Sequence, residues 1–357
     1  MDLPILKKIT HNFQLEMEQA SQGEKTSFAW VVHTIPQSPI IKNGEIFQVI
    51  GIGGTVFHSA LLQKKQNKLL LFSYQEGKVP IFHDKNIFFT FLLSLLDKKT
   101  TTLALNFGFP SLPHVINGYL DGRLLQSTKE HAFTELIGEL VGKRFTSFVK
   151  EKTNRSISVS LANDTICLLL SGLTKYPLQN LAAAIVGTGL NAAIFLDNKT
   201  LINLEAGGFD KFPLSRTGKQ VDEHSLKKGM YLFEKEISGA YLYQHFNFLL
   251  FENNINHPPI ASTKELHDIA MQSRTDKASV LAKSIFKRSA TLSATILAGV
   301  ANFQKKNLVF VMQGSPFWKG YLYKETVAAT IQMLTPYTVT FVDIPHSDIF
   351  GAAKLVA

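Results

Sequence analysis

The sequence predicts a two-lobed α/β protein in which each lobe is a mixed sheet flanked by helices, with a cleft between the lobes. The 357 residues exceed the roughly 100–200 residues of one ordinary domain. Each half of the chain contains three short apolar runs that are followed by alternating helix and strand patterns. A Gly/Thr turn follows the first of these runs in both halves. Together these observations predict a duplicated fold.

The first half begins with an amphipathic helix, because Leu3, Leu6, Ile9, Phe13 and Met17 recur at helical spacing. An extended stretch punctuated by prolines, Pro36 and Pro39 among them, comes next. The other predicted elements of this half are strands over 47–52, 57–62, 69–74, 103–107 and 157–162, and helices over 87–97, about 131–150 and about 164–173.

The second half repeats this order. Three short strands are joined by the turns Gly187-Thr188-Gly189 and Asp197-Asn198-Lys199. The predicted strands are 181–186, 192–196, 201–204, 308–312 and 339–342, and the predicted helices are about 223–251, 277–303, about 320–334 and one from Asp348.

Composition and charge exclude several classes of protein. Hydrophobic residues make up 45% and charged residues 18% of the chain, which excludes a disordered or collagen-like protein. The net charge of +9 comes from scattered pairs such as Lys64-Lys65 and Lys305-Lys306. These pairs form no stripe interleaved with aromatic residues, so we interpret them as a solvated surface and predict no nucleic-acid partner.

The sequence also predicts a cytoplasmic protein with no membrane partner. Its most apolar run, 87–96, is far shorter than the roughly 20 residues needed to cross a bilayer. Lys7 and Lys8 interrupt the N-terminus, which therefore lacks the uncharged core of a secretory signal. The single cysteine, Cys167, cannot form an intramolecular disulfide, and this fits a reducing compartment.

The two glycine turns, Gly53-Gly54-Thr55 and Gly187-Thr188-Gly189, offer backbone N–H groups and a hydroxyl to anionic oxygens. Two such turns can grip a triphosphate, whereas the alternative is that the glycines only make tight turns. The second turn also matches a dinucleotide fingerprint with Glu205 downstream, but a hairpin follows it rather than the required helix. Gly314-Ser315, between a strand and a helix, is a further candidate phosphate or nucleoside contact, or a plain turn.

Three carboxylates are candidates for chemistry. Asp164 follows a strand and precedes an apolar helix, where it is placed as a general base, or where it and Asn163 only cap the helix. Glu205 ends a strand and can, with Glu234, accept hydrogen bonds from a polyhydroxyl ligand, with salt bridges as the alternative. Glu234 borders a predicted helical face formed by Leu226, Met230, Phe233, Ile237 and Tyr241.

One lysine is a candidate for stabilising phosphoryl charge. Thr128-Lys129 begins a predicted helix, and a lysine there can neutralise the charge on a transferring phosphoryl group. The alternative is a solvated lysine near the start of a helix.

Taken together, these segments resemble the hexokinase and glucokinase family of the sugar-kinase and actin-like superfold, whose lobes are RNase H-like. The resemblance follows the family's order over nearly the whole chain. The matching segments are 52–55, 107–110, 127–129, 163–165, 186–192, 203–205, 232–239 and 314–315. It implies an N-terminal family part over 1–196, with a small sugar-binding lobe at about 45–162. It also implies a C-terminal part over 197–357, a large nucleotide-binding lobe that the N-terminal helix completes.

The resemblance further implies phosphorylation of a glucose-like hexose at its 6-hydroxyl, the first step of glycolysis, with ATP and Mg²⁺ carried by the nucleotide. Asp164 would be the catalytic base, with Lys129 assisting. The implied hexose contacts are Thr128, Lys129, Asn163, Asp164, Asn191, Glu205 and Glu234, and the implied ATP contacts are Gly53, Gly54, Thr55, Gly187, Thr188, Gly189, Gly314 and Ser315.

The chain also departs from the family pattern. Gly51, Val56 and His58 stand where the family's first hairpin has Asp, Asn and Arg, and the aspartate helps place the magnesium. Gly108 replaces a sugar-contacting serine and Gln313 an aspartate, while an end at Ala357 implies a shortened final helix. These departures keep a second hypothesis open, a catalytically impaired sugar-binding sensor or regulator. The preferred hexose, the phosphoryl donor and the oligomeric state stay open.

Overall fold

The computed structural model describes residues 2–35, 39–66, 68–126, 133–273 and 275–357. Its helices are α1 Leu3–Ser21, α2 Lys85–Leu95, α3 Val141–Thr153, α4 Asp164–Ser171, α5 Arg216–Glu223, α6 Leu232–Ile237, α7 Leu242–Glu252, α8 Thr263–Met271, α9 Lys277–Gln304, α10 Ser315–Lys319, α11 Tyr323–Leu334 and α12 Ser347–Ala353. Its strands are β1 Val31–Thr34, β2 Ile46–Ile52, β3 Val56–Lys65, β4 Lys68–Lys78, β5 Thr102–Phe107, β6 Ser111–Ile116, β7 Tyr119–Leu124, β8 Ser158–Asn163, β9 Leu181–Val186, β10 Leu190–Phe195, β11 Thr200–Asn203, β12 Leu308–Gln313 and β13 Val339–Val342.

Two sheets repeat one strand order. A five-stranded sheet has the order β4-β3-β2-β5-β8, with β2 antiparallel to β3 and parallel to β5. A six-stranded sheet has the order β1-β11-β10-β9-β12-β13, and β12 is parallel to β13. Without β1, both sheets place their strands third, second, first, fourth and fifth in chain order. The α/β fold of two mixed sheets with flanking helices is therefore confirmed.

The chain divides into two compact units. The first contains Met1–Trp30, Ala182–Ala193 and Asn203–Asp343. Its long helix α9 begins after Asp276, whose side chain accepts the Ser279 N–H and so satisfies one of the free backbone donors at the helix start. The buried face of α1 packs against α9, where a side chain at Gly299 would approach the Phe13 ring to 2.9 Å.

The second unit contains Val31–Leu181, Ile194–Ile202 and Ile344–Ala357. All six residues of β5 are buried, because the strand lies between the parallel strands β2 and β8 with helices on the faces of the sheet. Helix α12 packs against α4, β2 and β5, and a side chain at Gly351 would overlap the backbone of Cys167. The two units are interleaved along the chain and do not correspond to consecutive segments. The division into consecutive family parts 1–196 and 197–357 therefore stays a prediction.

Most of the predicted elements are confirmed, but the single helix predicted over about 223–251 is wrong. Gly229 has a φ of 76° and Tyr231 one of 53°, so the backbone leaves the helical region before α6 begins. A second break at Ser238-Gly239 separates α6 from α7. As a result Leu226 and Met230 are exposed, and only Phe233 and Ile237 of the predicted apolar face are fully buried.

Two other predicted helices begin later than expected. The helix predicted from about 131 begins at Val141, and the helix predicted from about 320 begins at Tyr323, after the separate short helix α10. At Gly320 a side chain would overlap the Pro316 carbonyl oxygen, which is consistent with a tight break there.

A hairpin and a short helix were not predicted. Strands β6 and β7 pair antiparallel around Asn117-Gly118, both at positive φ, which is a preferred two-residue hairpin turn. Pro113 within β6 weakens the strand pattern in the sequence. Helix α8 follows the capping residue Ser262, which accepts the Glu265 N–H. No helix among the described residues combines the length and apolarity that crossing a bilayer requires.

Candidate active site

The predicted general base, Asp164, is the first residue of α4 and directly follows β8. Three donors converge on its Oδ1: Asn163 Nδ2 at 2.8 Å, Thr165 N at 2.7 Å and Thr165 Oγ1 at 3.2 Å. The helix-capping alternative is correct for Asn163, whose Oδ1 accepts the N–H groups of Thr165 and Ile166. Because Asn163 caps the helix, its amide group is fixed and orients the neighbouring carboxylate.

The first glycine turn lies between β2 and β3. Gly53 N donates to the Val56 carbonyl at 3.1 Å, which closes the turn, and Thr55 at its tip is exposed. Gly108 N donates to the Ile52 carbonyl at 2.8 Å. A Cβ at Gly108 would lie 3.0 Å from that carbonyl oxygen and 3.2 Å from Gly53 Cα, so a serine there would displace the turn by a few tenths of an ångström. The close approach explains the glycine at this departure from the family pattern.

A carboxylate lies beside Gly51. Asp348, in the first turn of α12, places Oδ2 3.1 Å from the position that a Cβ at Gly51 would occupy. The same oxygen is paired with Nδ1 of His58, the cross-strand partner of Gly51. The hydrogen bond that the His58 ring donates to Asp348 is the main cause that raises the pKa of His58 above its usual 6.5. The space at Gly51 is thus not empty, and Asp348 was not among the predicted site residues.

In the first unit, the predicted sugar contacts Asn191 and Glu205 are joined by Asn203. Asn191 Nδ2 donates to Asn203 Oδ1 at 2.7 Å, and Asn203 Nδ2 donates to Glu205 Oε1 at 2.8 Å. Asn203 is 2% exposed and was not assigned a role from the sequence, although it belongs to the matching segment 203–205. This amide therefore fixes two polar side chains that can face a polyhydroxyl ligand.

Glu234 lies in the same unit, between two glycines. Its Oε2 accepts the Leu190 N–H at 2.9 Å. A Cβ at Gly189 would lie 2.7 Å from that oxygen, and a Cβ at Gly207 would lie 3.1 Å from it, so small residues are required on both sides. Burial raises the pKa of the Glu234 carboxyl above its usual 4.5, and the Leu190 N–H opposes this.

The second glycine turn packs against two further backbone segments. Gly187 N donates to the Gly189 carbonyl at 3.0 Å, and the Gly187 carbonyl accepts Gly239 N at 2.7 Å. Gly314 has a φ of 121°, and a side chain on it would overlap the Val186 carbonyl oxygen. The break between α6 and α7, which the sequence did not predict, therefore supplies the N–H group of Gly239 that holds this turn.

A cavity of about 410 Å³ adjoins this turn within the first unit. It contains two of the predicted nucleotide contacts of the second turn and Ser315 at the start of α10. The residues that line it are Gly187, Thr188, Gly239, Ala240, Thr263, Lys264, His267, Asp268, Phe286, Ser315, Pro316, Lys319 and Gly320. Its size and its mixture of backbone amides, an aromatic ring and lysines suit a nucleoside with phosphates.

Thr128 and Lys129 lie outside the described residues. Within the described ranges, no group of three or more His, Cys, Asp or Glu side chains is placed to hold a metal ion. Mg²⁺ in nucleotide sites usually takes one or two carboxylates and draws its other ligands from phosphates and water. The carboxylate of Asp348, which lies beside Gly51, is a group of this kind.

The chain matches a family model and curated relatives. Residues 181–252 match the model described as Hexokinase. Hexokinase-5 of Oryza sativa subsp. japonica is 27% identical over 273 residues, covering 67% of this chain and 53% of that protein. The chain thus spans about half the length of the curated relatives it matches.

Solved structures with this fold include sugar kinases. Hexokinase from Schistosoma mansoni complexed with glucose aligns with a TM-score of 0.81 at 19% identity, covering 100% of this chain and 95% of that one. A ROK family glucokinase from Streptomyces griseus in complex with glucose and AMPPNP aligns with a TM-score of 0.58 at 14% identity, covering 87% and 99%. Family model, curated relatives and fold agree in one direction, because each of them is similar to proteins of the hexokinase family.

Proposed function

We propose that this protein transfers the γ-phosphoryl group of ATP to the 6-hydroxyl of a glucose-like hexose. The observation that carries the proposal is the orientation of the Asp164 carboxylate by Asn163 and Thr165. A carboxylate held at the end of a strand by a capping amide suits a general base, because its position is set before the substrate arrives. The hexokinase relatives support sugar phosphorylation as the class of reaction.

In the proposed reaction, Asp164 accepts the proton of the sugar hydroxyl as the hydroxyl oxygen bonds to the γ-phosphorus. The bond between that phosphorus and the β,γ-bridging oxygen breaks, and ADP leaves. Bound with the nucleotide, Mg²⁺ supplies positive charge that offsets the charge on the phosphate oxygens. We assign Lys129 the same electrostatic role on the basis of the resemblance alone.

We further assign recognition of the hexose to Asn191, Glu205 and Glu234, with Thr128, Lys129 and Asn163 as additional contacts. Two amides and two carboxylates offer the donors and acceptors that sugar hydroxyls require. The network through Asn203 supports this role because it fixes Asn191 and Glu205 before a ligand binds. A preorganised set of partners loses less entropy on binding than a mobile one does.

We assign the phosphates and nucleoside to the two glycine turns with Gly314 and Ser315, and the cavity of about 410 Å³ supports the second turn in this role. For the first turn, Gly53, Gly54 and Thr55 contribute backbone N–H groups and one exposed hydroxyl. Glucose and AMPPNP are bound by a glucokinase with the same fold, which supports ATP and a hexose as the ligands here.

A coupled assay for hexose 6-phosphate with Mg-ATP tests the proposal. Loss of a general base typically lowers turnover about 10²–10⁴-fold, so Asp164→Asn is expected to lower kcat by that factor. Asp84→Asn is the matched control, because Asp84 is also at a helix start and an asparagine still caps α2. Equal turnover in Asp164→Asn and Asp84→Asn would contradict the assignment of the base.

A second candidate function is a sugar-binding sensor without turnover. Gly51 favours the sensor, because the family pattern has an aspartate at this position and a glycine has no carboxylate. Thermal unfolding with and without glucose distinguishes the two candidates. Stabilisation by glucose without formation of hexose 6-phosphate at any Mg-ATP concentration favours the sensor, whereas turnover that depends on Asp164 favours the kinase.

A further inference from the structure

The side chain of Asp348 occupies the space beside Gly51 at the base of the first glycine turn. Its Oδ2 is 3.1 Å from the position of a Cβ on Gly51, and the next nearest side chain, that of Asn106, is 3.9 Å away. The Asp348 side chain is 17% exposed, so it is largely shielded but still reaches solvent. A largely shielded carboxylate is stabilised by a hydrogen-bonding partner.

His58 is that partner in the structure. Its Nδ1 is paired with Asp348 Oδ2, and the pairing raises the pKa of His58. Glu76 is 3.9 Å from the other ring nitrogen of His58, but its side chain is 66% exposed and therefore well hydrated. Asp348 is thus the better shielded of the two carboxylates that approach His58.

Asp348 is also close to the helix that begins with the proposed base. Both Asp164 and Asp348 raise the pKa of the buried Cys167 thiol, after burial itself, so both negative charges act on this one group of α4. Helix α12 packs directly on α4. Packing of α12 on α4 therefore sets the position of Asp348 relative to the helix that Asp164 begins.

We propose that Asp348 supplies, from α12, the carboxylate that Gly51 lacks, and that it orients the hydrated Mg²⁺ of a nucleotide bound at the first glycine turn. The proposal rests on the proposed use of ATP. Mg²⁺ is a hard cation that keeps several waters and takes one or two carboxylates beside the phosphates. Asp348 meets this need through hydrogen bonds from metal-bound water, while His58 holds the carboxylate in place.

One consequence concerns Gly51 itself. A Cβ there would approach Asp348 Oδ2 to 3.1 Å, and an aspartate would also place two negative charges side by side. Gly51→Asp alone is therefore expected to impair magnesium-dependent binding. The exchange variant Gly51→Asp/Asp348→Ser moves the carboxylate from α12 to β2 and removes this conflict.

The test measures binding of AMPPNP to the full chain by calorimetry, once with Mg²⁺ and once with EDTA. Asp348→Asn is expected to lower the gain in affinity from Mg²⁺ about tenfold, the effect of one charge-assisted hydrogen bond. Affinity in EDTA is expected to stay unchanged, whereas a purely structural role would weaken binding equally in both conditions. Asp343→Asn is the control, because Asp343 is an exposed aspartate five positions earlier in the chain.

The exchange variant is expected to recover most of the gain from Mg²⁺, and thermal unfolding of each variant checks that it folds. Two results overturn the role of Asp348 but leave the proposed use of ATP intact. In the first, Mg²⁺ raises the AMPPNP affinity of Asp348→Asn as much as that of wild type. In the second, Asp348→Asn loses affinity equally with Mg²⁺ and with EDTA. If the wild-type chain binds AMPPNP in neither condition, both this inference and the proposed use of ATP are overturned. The two failures are therefore distinguishable.

Discussion

The buried amide of Asn203 donates a hydrogen bond to the Glu205 carboxylate at 2.8 Å, and its oxygen accepts one from Asn191 at 2.7 Å. Glu205 itself has a φ of 43°, in the left-handed region that non-glycine residues rarely adopt. This conformation turns the chain immediately after β11. The Asn203 side chain, at the end of β11, donates its hydrogen bond to Glu205 at this turn. The arrangement stores some strain at a place where two predicted sugar contacts meet.

Removing the amide of Asn203 is expected to weaken hexose binding. Asn203→Ala leaves Asn191 and Glu205 without their shared partner, and hydrogen bonds to charged groups contribute about 1.5–3 kcal/mol, so KM for the hexose is expected to rise roughly 10–100-fold. We expect kcat to change much less, because Asp164 is held by other residues. Steady-state kinetics checks this, with Asn198→Ala in an exposed turn as the control. An unchanged KM would show that the network has no part in binding.

Gly314 is expected to be intolerant of any side chain. Gly314→Ala would place a methyl group on the Val186 carbonyl oxygen at a φ of 121°, so we expect a loss of about 3 kcal/mol or more in the free energy of unfolding. Gly23→Ala is the matched control, because its φ of 84° is also positive but no atom lies within 4 Å of the new methyl group. The control should lose only about 1 kcal/mol from strain. Urea unfolding compares the two, and equal losses would contradict the role of close packing at Gly314.

Hexose affinity is expected to fall in acid because of Glu234. Only the ionised carboxylate is purely an acceptor for sugar hydroxyls, and burial raises its pKa above 4.5. Affinity should therefore be full above the raised pKa and should decline as the pH falls through it, at a higher pH than for an ordinary glutamate. Titration with glucose across this range measures the effect. Glu234→Gln should bind more weakly at neutral pH and lose this pH dependence, and a persisting dependence would point to another group.

The repeated strand order was predictable because short apolar runs and glycine turns have strong local signals. The runs over 181–186 and 308–312 agree with β9 and β12 to within a residue, since buried strands are uniformly apolar. The matching segment around Asn163-Asp164-Thr165 also predicted the strand-to-helix junction correctly. Local sequence was sufficient to predict an element wherever the intrinsic preferences of its residues agree with the conformation in the fold.

Tertiary contacts explain what the sequence did not predict. The break at Ser238-Gly239 depends on the Gly187 carbonyl, which lies about fifty residues earlier in the chain and accepts the Gly239 N–H. The carboxylate beside Gly51 comes from Asp348, almost three hundred residues later, and no spacing rule connects the two. The absence of an aspartate at position 51 was therefore visible in the sequence, whereas the group that fills its place was not.

Stability is expected to fall in acid because of His33 in β1. Its side chain is 2% exposed, and burial lowers its pKa to about 4 from the usual 6.5. The folded state keeps His33 neutral while the unfolded chain takes up a proton, so its contribution is full above pH 6.5 and is lost as the pH falls to about 4. The full loss amounts to roughly 3 kcal/mol. Urea unfolding of wild type and His33→Gln at pH 7 and pH 4.5 measures this, and the variant should show the smaller decline. His11→Gln, at an exposed position, should behave as wild type. If His33→Gln and wild type decline equally, another group causes the acid sensitivity.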